Sequence, residues 1–113
     1  GGPHVFVSVA LNDDPPRESR NSNGDGLVDC LYRALDGVTD HTIKLLDYGI
    51  DSVTKGKDAL GRVKVNMLVD GQEIRGIAVD TDVITASGRA YLNSINRYLV
   101  LKEINERTSK PSN

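Results

Sequence analysis

Val5, Val7 and Val9 alternate with Phe6, Ser8 and Ala10, and this period of two predicts a first strand. The run Asn12-Asp13-Asp14-Pro15-Pro16 ends it, because proline has no N–H for a ladder and Asx residues favour turns. Through Arg20-Asn21-Ser22-Asn23 the chain is polar and reads as a mobile connection. Val28, Leu31, Tyr32 and Leu35 then recur at helical spacing and predict a helix opened by Gly24-Asp25-Gly26. Asp25 is its expected N-cap and Gly37 its expected left-handed stop. Ile43, Leu45, Leu46, Tyr48 and Ile50 read as a strand over residues 42–50, followed by a loop over 54–58. Val63, Val65, Met67 and Val69 alternate with polar neighbours, and Asp70-Gly71 is a hairpin signal of type I′. Residues 74–79 are the returning strand. A long helix over about residues 83–104, capped by Thr81 or Asp82, aligns Ile84, Ser87, Tyr91, Ile95 and Leu99 on one face. Gly88 inside it costs about 1 kcal/mol relative to alanine, which points to close packing there.

Val7 and Val63 lie 56 residues apart, and so do Leu27 and Val83, which open the two helices. The pattern predicts an α+β fold: a duplicated strand–strand–helix unit, with antiparallel strands and two helices packed on one face. So thin a layer leaves apolar surface that a second copy could cover. Residues 5–106 are the expected domain. Residues 1–4 read as a tag remnant or frayed end, and 107–113 as a disordered tail.

The length of 113 residues allows one small domain with its own core. At 38% hydrophobic and 27% charged residues it is globular in composition rather than disordered. A formal charge of −2 argues against nucleic acid, which selects basic faces. No apolar run is long enough for a membrane span, and no secretory leader is read at the N-terminus. The lone Cys30 makes no internal disulfide, which fits a reducing cytoplasm.

Catalytic chemistry finds little support in the residues. Asp80-Thr81-Asp82 is read as a helix cap rather than a cation site, since no third ligand lies nearby in sequence. His4 and His41 lack zinc spacing; His41 reads as a solvated surface histidine and Cys30 as a structural thiol. Gly24-Asp25-Gly26 holds more promise. Two glycines ahead of a helix let backbone N–H groups approach an anion, although the same residues also serve a plain tight turn. The acids before the second helix would suit an ammonium, so a zwitterion held between the two helix starts is physically reasonable.

Three segments together resemble a known family. Residues 23–35, beginning Asn23-Gly24-Asp25-Gly26-Leu27-Val28-Asp29, are similar to the Asn-Gly-x-Gly-Pro-Val-Asp-Ala opening in the C-terminal regulatory domain of the 2-isopropylmalate synthase and citramalate synthase family. Leu45-Leu46-Asp47-Tyr48 with Lys57-Asp58-Ala59-Leu60-Gly61 resembles its middle strand and loop. Gly76-Ile77-Ala78-Val79-Asp80-Thr81-Asp82, with Ala86-Ser87 and Ala90-Tyr91-Leu92-Asn93, resembles its most recognisable stretch. The likeness runs from about Val5 to Leu101.

This resemblance implies a non-catalytic homodimeric domain that binds a branched-chain amino acid, leucine first, at the dimer interface. It implies no cofactor in this domain. The partner would be a TIM-barrel catalytic domain that holds a divalent metal and condenses acetyl-CoA with a 2-keto acid. The implied effector-binding residues are Gly24, Gly26 and Val28 around the helix start, and Leu45, Tyr48 and Ser52 on the middle strand. Ala59 and Gly61 follow from the loop, and Val79 from the last strand. Leu27 stands where the family carries proline, which loosens the helix opening. The family's first strand is expected to be missing ahead of Val5. Two other readings stay open: an isoleucine-binding citramalate synthase domain, and a dimerisation module with no ligand.

Overall fold

The computed structural model describes residues 5–10, 15–21 and 26–109. Its elements are β1 (Val5–Val9), β2 (Arg17–Asn21), α1 (Leu27–Asp36), β3 (Ile43–Lys55), β4 (Asp58–Val69), β5 (Gln72–Asp80) and α2 (Val83–Ser109). The expected α+β architecture is present, as two antiparallel sheets with the order β1-β2 and β3-β4-β5. The helices open at Leu27 and Val83, the spacing of 56 read from the sequence. Each follows an antiparallel hairpin. Among the described residues the first unit holds two strands and the second three, so β3 is the element the duplicated pattern did not anticipate.

β2 overturns the reading of residues 20–23 as a mobile connection at its first two positions. Arg17–Asn21 pairs with β1 in the register Val7↔Ser19. An all-polar strand carries no apolar period, so only the ladder reveals it. Gly37 is a correction of a different kind. It has φ −71° and ψ −17°, in the right-handed region. A Cβ there would lie 2.4 Å from Ser19 Oγ, so the glycine makes room for β2 rather than supplying handedness. The N-cap of α1 is Gly26 and not the expected Asp25. Asp25, Gly24 and residues 1–4 and 110–113 lie outside the described residues.

β3 runs to Lys55, and the expected loop at 54–58 narrows to Gly56 and Lys57, with Gly56 at φ +64°. The turn at Asp70 and Gly71 has φ of 50° and 85°, the positive pair a type I′ hairpin requires. Asp82 caps α2: its Oδ1 accepts the Ile84 N–H at 2.9 Å and its Oδ2 the Thr85 hydroxyl at 3.1 Å. The helix continues past residue 104 to Ser109, with Arg107 paired to Glu103 one turn back at 2.5 Å.

The core lies between α2 and the sheet. Val63, Val65, Met67 and Val69 of β4, with Ile74 and Ala78 of β5, meet Ala86, Ala90, Tyr91, Ile95 and Tyr98 of α2. Leu99, expected on that buried face, is instead 42% exposed. Leu31, Tyr32 and Leu35 bring α1 onto α2. The helices touch near their first turns: Leu31 lies beside Gly88, Tyr32 bonds to Ser87, and Tyr91 bonds to Asp36. Shifted by 56, Leu31 corresponds to Ser87 and Tyr32 to Gly88. The two contacts are therefore reciprocal, as across a local two-fold axis. Gly88 itself is not tightly enclosed, since a Cβ would sit at an ordinary 3.6 Å from Leu31.

Candidate ligand-binding site

Side chains on antiparallel partners point to the same face of a sheet. Val63, Val65 and Met67 face the helices, and so must their partners Ile50, Tyr48 and Leu45 on β3. Ser52 opposite Gly61, and Thr54 opposite Ala59, continue that row. A bulge between Leu45 and Asp47 keeps both ends of β3 in phase with β4. Helix α2 covers β4 and β5 but leaves β3 largely bare. Leu45 is 41% and Ile50 51% exposed on the helix side, and Leu27 at the start of α1 is 43% exposed. Leu45 and Ile50 flank Tyr48 on this face of β3, which leaves an apolar surface open to a partner.

Leu31 and Tyr32 meet Gly88 and Ser87 about one turn inside each helix, so both helix starts lie near this contact. Gly61 lies there as well: a Cβ on it would come within 2.8 Å of Val83 Cγ2, at the first turn of α2. Val28 and Tyr32 share one face of α1, four residues apart, and the Tyr32 ring meets the Tyr48 ring edge-on at 6.1 Å. The fold thus gathers Gly26, Val28, Tyr48, Ser52 and Gly61 around the two helix starts. Ala59 lies one step further along the hairpin, and Leu45 on the other side of Tyr48. Val79 is not brought to them. Its partner is Arg62, which places it on the opposite face of the sheet, 40% exposed. Gly24 lies outside the described residues.

Gly26 caps α1 with no side-chain hydrogen bond of its own, and the helix dipole favours an anion at this end. At α2 the polar groups are already engaged. Asp80 accepts the Asp82 N–H at 2.9 Å and pairs with Arg89 at 3.0 Å. The two ends differ: α1 opens on a glycine and the partial positive charge of its dipole, whereas α2 opens on the carboxylates of Asp80 and Asp82, which bond within their own turn and to Arg89. Together they suit a small zwitterion.

Behind this surface is a hydrogen-bonded chain that the sequence pattern did not single out. Tyr48 Oη lies 2.8 Å from Ser87 Oγ, Ser87 Oγ donates to Val83 O at 2.7 Å, and Tyr32 Oη donates to Ser87 O at 3.0 Å. Tyr91 donates to the Asp36 carboxylate. Burial pushes the Tyr32 and Tyr91 hydroxyls well above the usual tyrosine range, and it raises Asp36 despite the Tyr91 bond. One signal was available: a serine inside an apolar helical stripe needs a partner, and Ser87 is fully buried.

His41 is a partly exposed histidine with defined partners. Its Nδ1 lies 2.8 Å from Asp70 and its ring meets Tyr98 edge-on at 5.6 Å, so it braces the 70–71 turn. That bond, with the Thr42 N–H at 2.8 Å, holds the Asp70 carboxyl below its ordinary range. Cys30 is fully buried in α1. An enclosed cleft of about 170 Å³ between β1, the α1–β3 connection and α2 contains none of the residues implied for the effector. Among the described residues no group of three or more His, Cys, Asp or Glu side chains could hold a metal ion. No helix among them is long and apolar enough to cross a membrane.

Comparison with known proteins identifies the class this geometry belongs to. Residues 2–99 match the LeuA allosteric (dimerisation) domain, and the chain belongs to that family. Several of its relatives are named 2-isopropylmalate synthase. The chain is 46% identical over 106 residues to a 2-isopropylmalate synthase of Bacillus licheniformis, covering 92% of this chain and 20% of that protein. It is 42% identical over 98 residues to the Salinibacter ruber 2-isopropylmalate synthase, covering 86% and 18%. The Nitrosococcus oceani 2-isopropylmalate synthase is 36% identical over 98 residues, covering 87% and 19%. The chain thus spans about one fifth of the length of these relatives, and corresponds to the regulatory and dimerisation domain of the 2-isopropylmalate synthase family.

Proposed function

We propose that this domain is a feedback sensor that binds leucine between two copies of itself and restrains a 2-isopropylmalate synthase barrel in the parent protein. The observation that carries this reading is the bare helix side of β3, placed beside two chemically unlike helix starts. The leucine carboxylate meets the first N–H groups of α1 around Gly26 and Val28. Its ammonium lies toward the acidic opening of α2, and its side chain lies against Tyr48, Leu45 and Ile50. A second copy packed over this face buries Leu27, Leu45 and Ile50 and closes the site against water. The ligand then favours one arrangement of the pair, and a coupling of about 1–3 kcal/mol suffices for useful inhibition of the distal barrel.

Isothermal titration of the purified chain with leucine, isoleucine and valine tests this, alongside sedimentation analysis of its oligomeric state. One leucine per protomer, bound by a dimer and in preference to isoleucine, is the expected result. Ser52→Phe, at an exposed position facing the site, should abolish binding and leave the monomer folded. Preference for isoleucine moves the parent to the citramalate branch. A folded dimer that takes up no amino acid leaves a dimerisation module or an incomplete pocket, and titrating a longer stretch of the parent protein separates the two.

A further inference from the structure

Ser87 is the residue at which three elements meet. Its Oγ contacts Tyr48 of β3, its carbonyl accepts from Tyr32 of α1, and its hydroxyl is bonded to Val83 within α2. A serine hydroxyl has a single proton. Ser87 Oγ lies 2.7 Å from Val83 O and 2.8 Å from Tyr48 Oη, and both bonds form together when Tyr48 donates to Ser87 and Ser87 donates to Val83. Ser87 is completely buried while Tyr48 is half-buried, so the bond anchors a ring at the open face to the protected interior of the helix pair.

We propose that Ser87 is a positioning residue for the effector site: its hydroxyl holds the Tyr48 ring in the orientation that ligand binding requires. The proposal rests on the sensor reading above and adds the residue through which the site is shaped. Tyr48 lies on a strand that α2 leaves largely bare, so packing alone does not orient its ring. The Ser87 bond does, together with the edge-on Tyr32 ring. Tyr32 is itself tied to the Ser87 carbonyl, so both aromatic groups are referenced to one turn of α2. A ligand that presses on Tyr48 is thereby coupled to the α1–α2 packing.

Leucine titrations of wild type, Ser87→Ala, Tyr48→Phe and the double variant test this. Loss of one such bond should weaken leucine binding by about threefold to tenfold in each single variant. The double variant should lose no more than the larger single loss, because both changes remove the same bond. A purely structural role for Ser87 would lower the unfolding temperature and leave the dissociation constant within twofold. That outcome, or losses that multiply in the double variant, overturns the proposal. Both substitutions delete a hydroxyl without adding volume, and circular dichroism checks that each variant folds. A ligand-free readout separates this inference from the reading beneath it. In wild type the Tyr48 hydroxyl proton should exchange slowly and show a nuclear Overhauser effect to the Ser87 side chain. If wild type binds no branched-chain amino acid, the sensor reading falls, and the positioning role with it. If leucine binds but the hydroxyl proton exchanges freely, the positioning role alone falls.

Discussion

Gly76 is where α2 and β5 approach most closely, and replacing it with alanine tests the packing on which the site depends. A Cβ at this position would lie 2.3 Å from the Ala90 carbonyl oxygen and 2.1 Å from Ser94 Oγ. The serine hydroxyl could rotate away, although it would lose its 3.0 Å bond to Ala90 O. The carbonyl is part of the helix backbone and cannot. An ordinary contact begins at 3.4 Å, so the helix must retreat by about 1 Å. Overpacking of a tight core costs about 1–3 kcal/mol, and a backbone obstacle puts Gly76→Ala near the upper end. For a domain of this size each kcal/mol corresponds to roughly 4–8 °C in unfolding temperature. A loss of roughly 8–24 °C is therefore expected, at about 2–3 kcal/mol. Gly88→Ala is the matched control. Its Cβ meets only Leu31 at 3.6 Å, and it gains helix propensity of about 1 kcal/mol, so it should stabilise. Chemical and thermal denaturation of the two variants gives the answer. If Gly76→Ala unfolds within about 0.5 kcal/mol of wild type, the close approach of α2 to β5 is wrong. The same displacement would draw Ser87 off Tyr48, so leucine affinity should fall in Gly76→Ala and hold in Gly88→Ala.

Two further expectations concern charge. Asp82→Ala removes both capping bonds at α2 and should cost about 1 kcal/mol, whereas Asp82→Asn should keep most of it, as read by urea denaturation. Burial raises the Asp36 carboxyl above its ordinary 3.8, so the folded chain holds this proton at a pH where the unfolded chain has released it. Its contribution to stability is therefore greatest below the unfolded value and is lost as pH rises through the folded one. Asp36→Asn should flatten that part of the profile and leave the variant at least as stable as wild type at pH 7. A loss at pH 7 would mean that the charge-assisted bond from Tyr91 outweighs the burial.

Much of this protein was legible in one dimension. The alternation at 63–69, the Asp70-Gly71 turn, the apolar stripes of both helices and the 56-residue repeat are local consequences of side-chain period and backbone sterics. They required no partner to be recognised. The resemblance at residues 23–35 and 76–93 likewise lies in linear motifs, which a chain displays whether folded or not.

Other features depended on the third dimension because their causes are not sequential. Arg17–Asn21 is a strand only because β1 lies beside it, and no hydrophobic period marks it. Gly37 is a glycine because Ser19 crosses over it, not because the helix turns left-handed. Val79 belongs to the same linear motif as Asp80, yet strand alternation places it on the opposite face of the sheet from Tyr48 and Gly61. Ser87 looked like one position in an apolar stripe until β3 and α1 both converged on it. Sequence period determines which faces of an element are apolar, but register and helix crossing decide which of those faces meet. The candidate site is made at such a meeting, where the two helix starts come together beside a strand that neither helix fully covers.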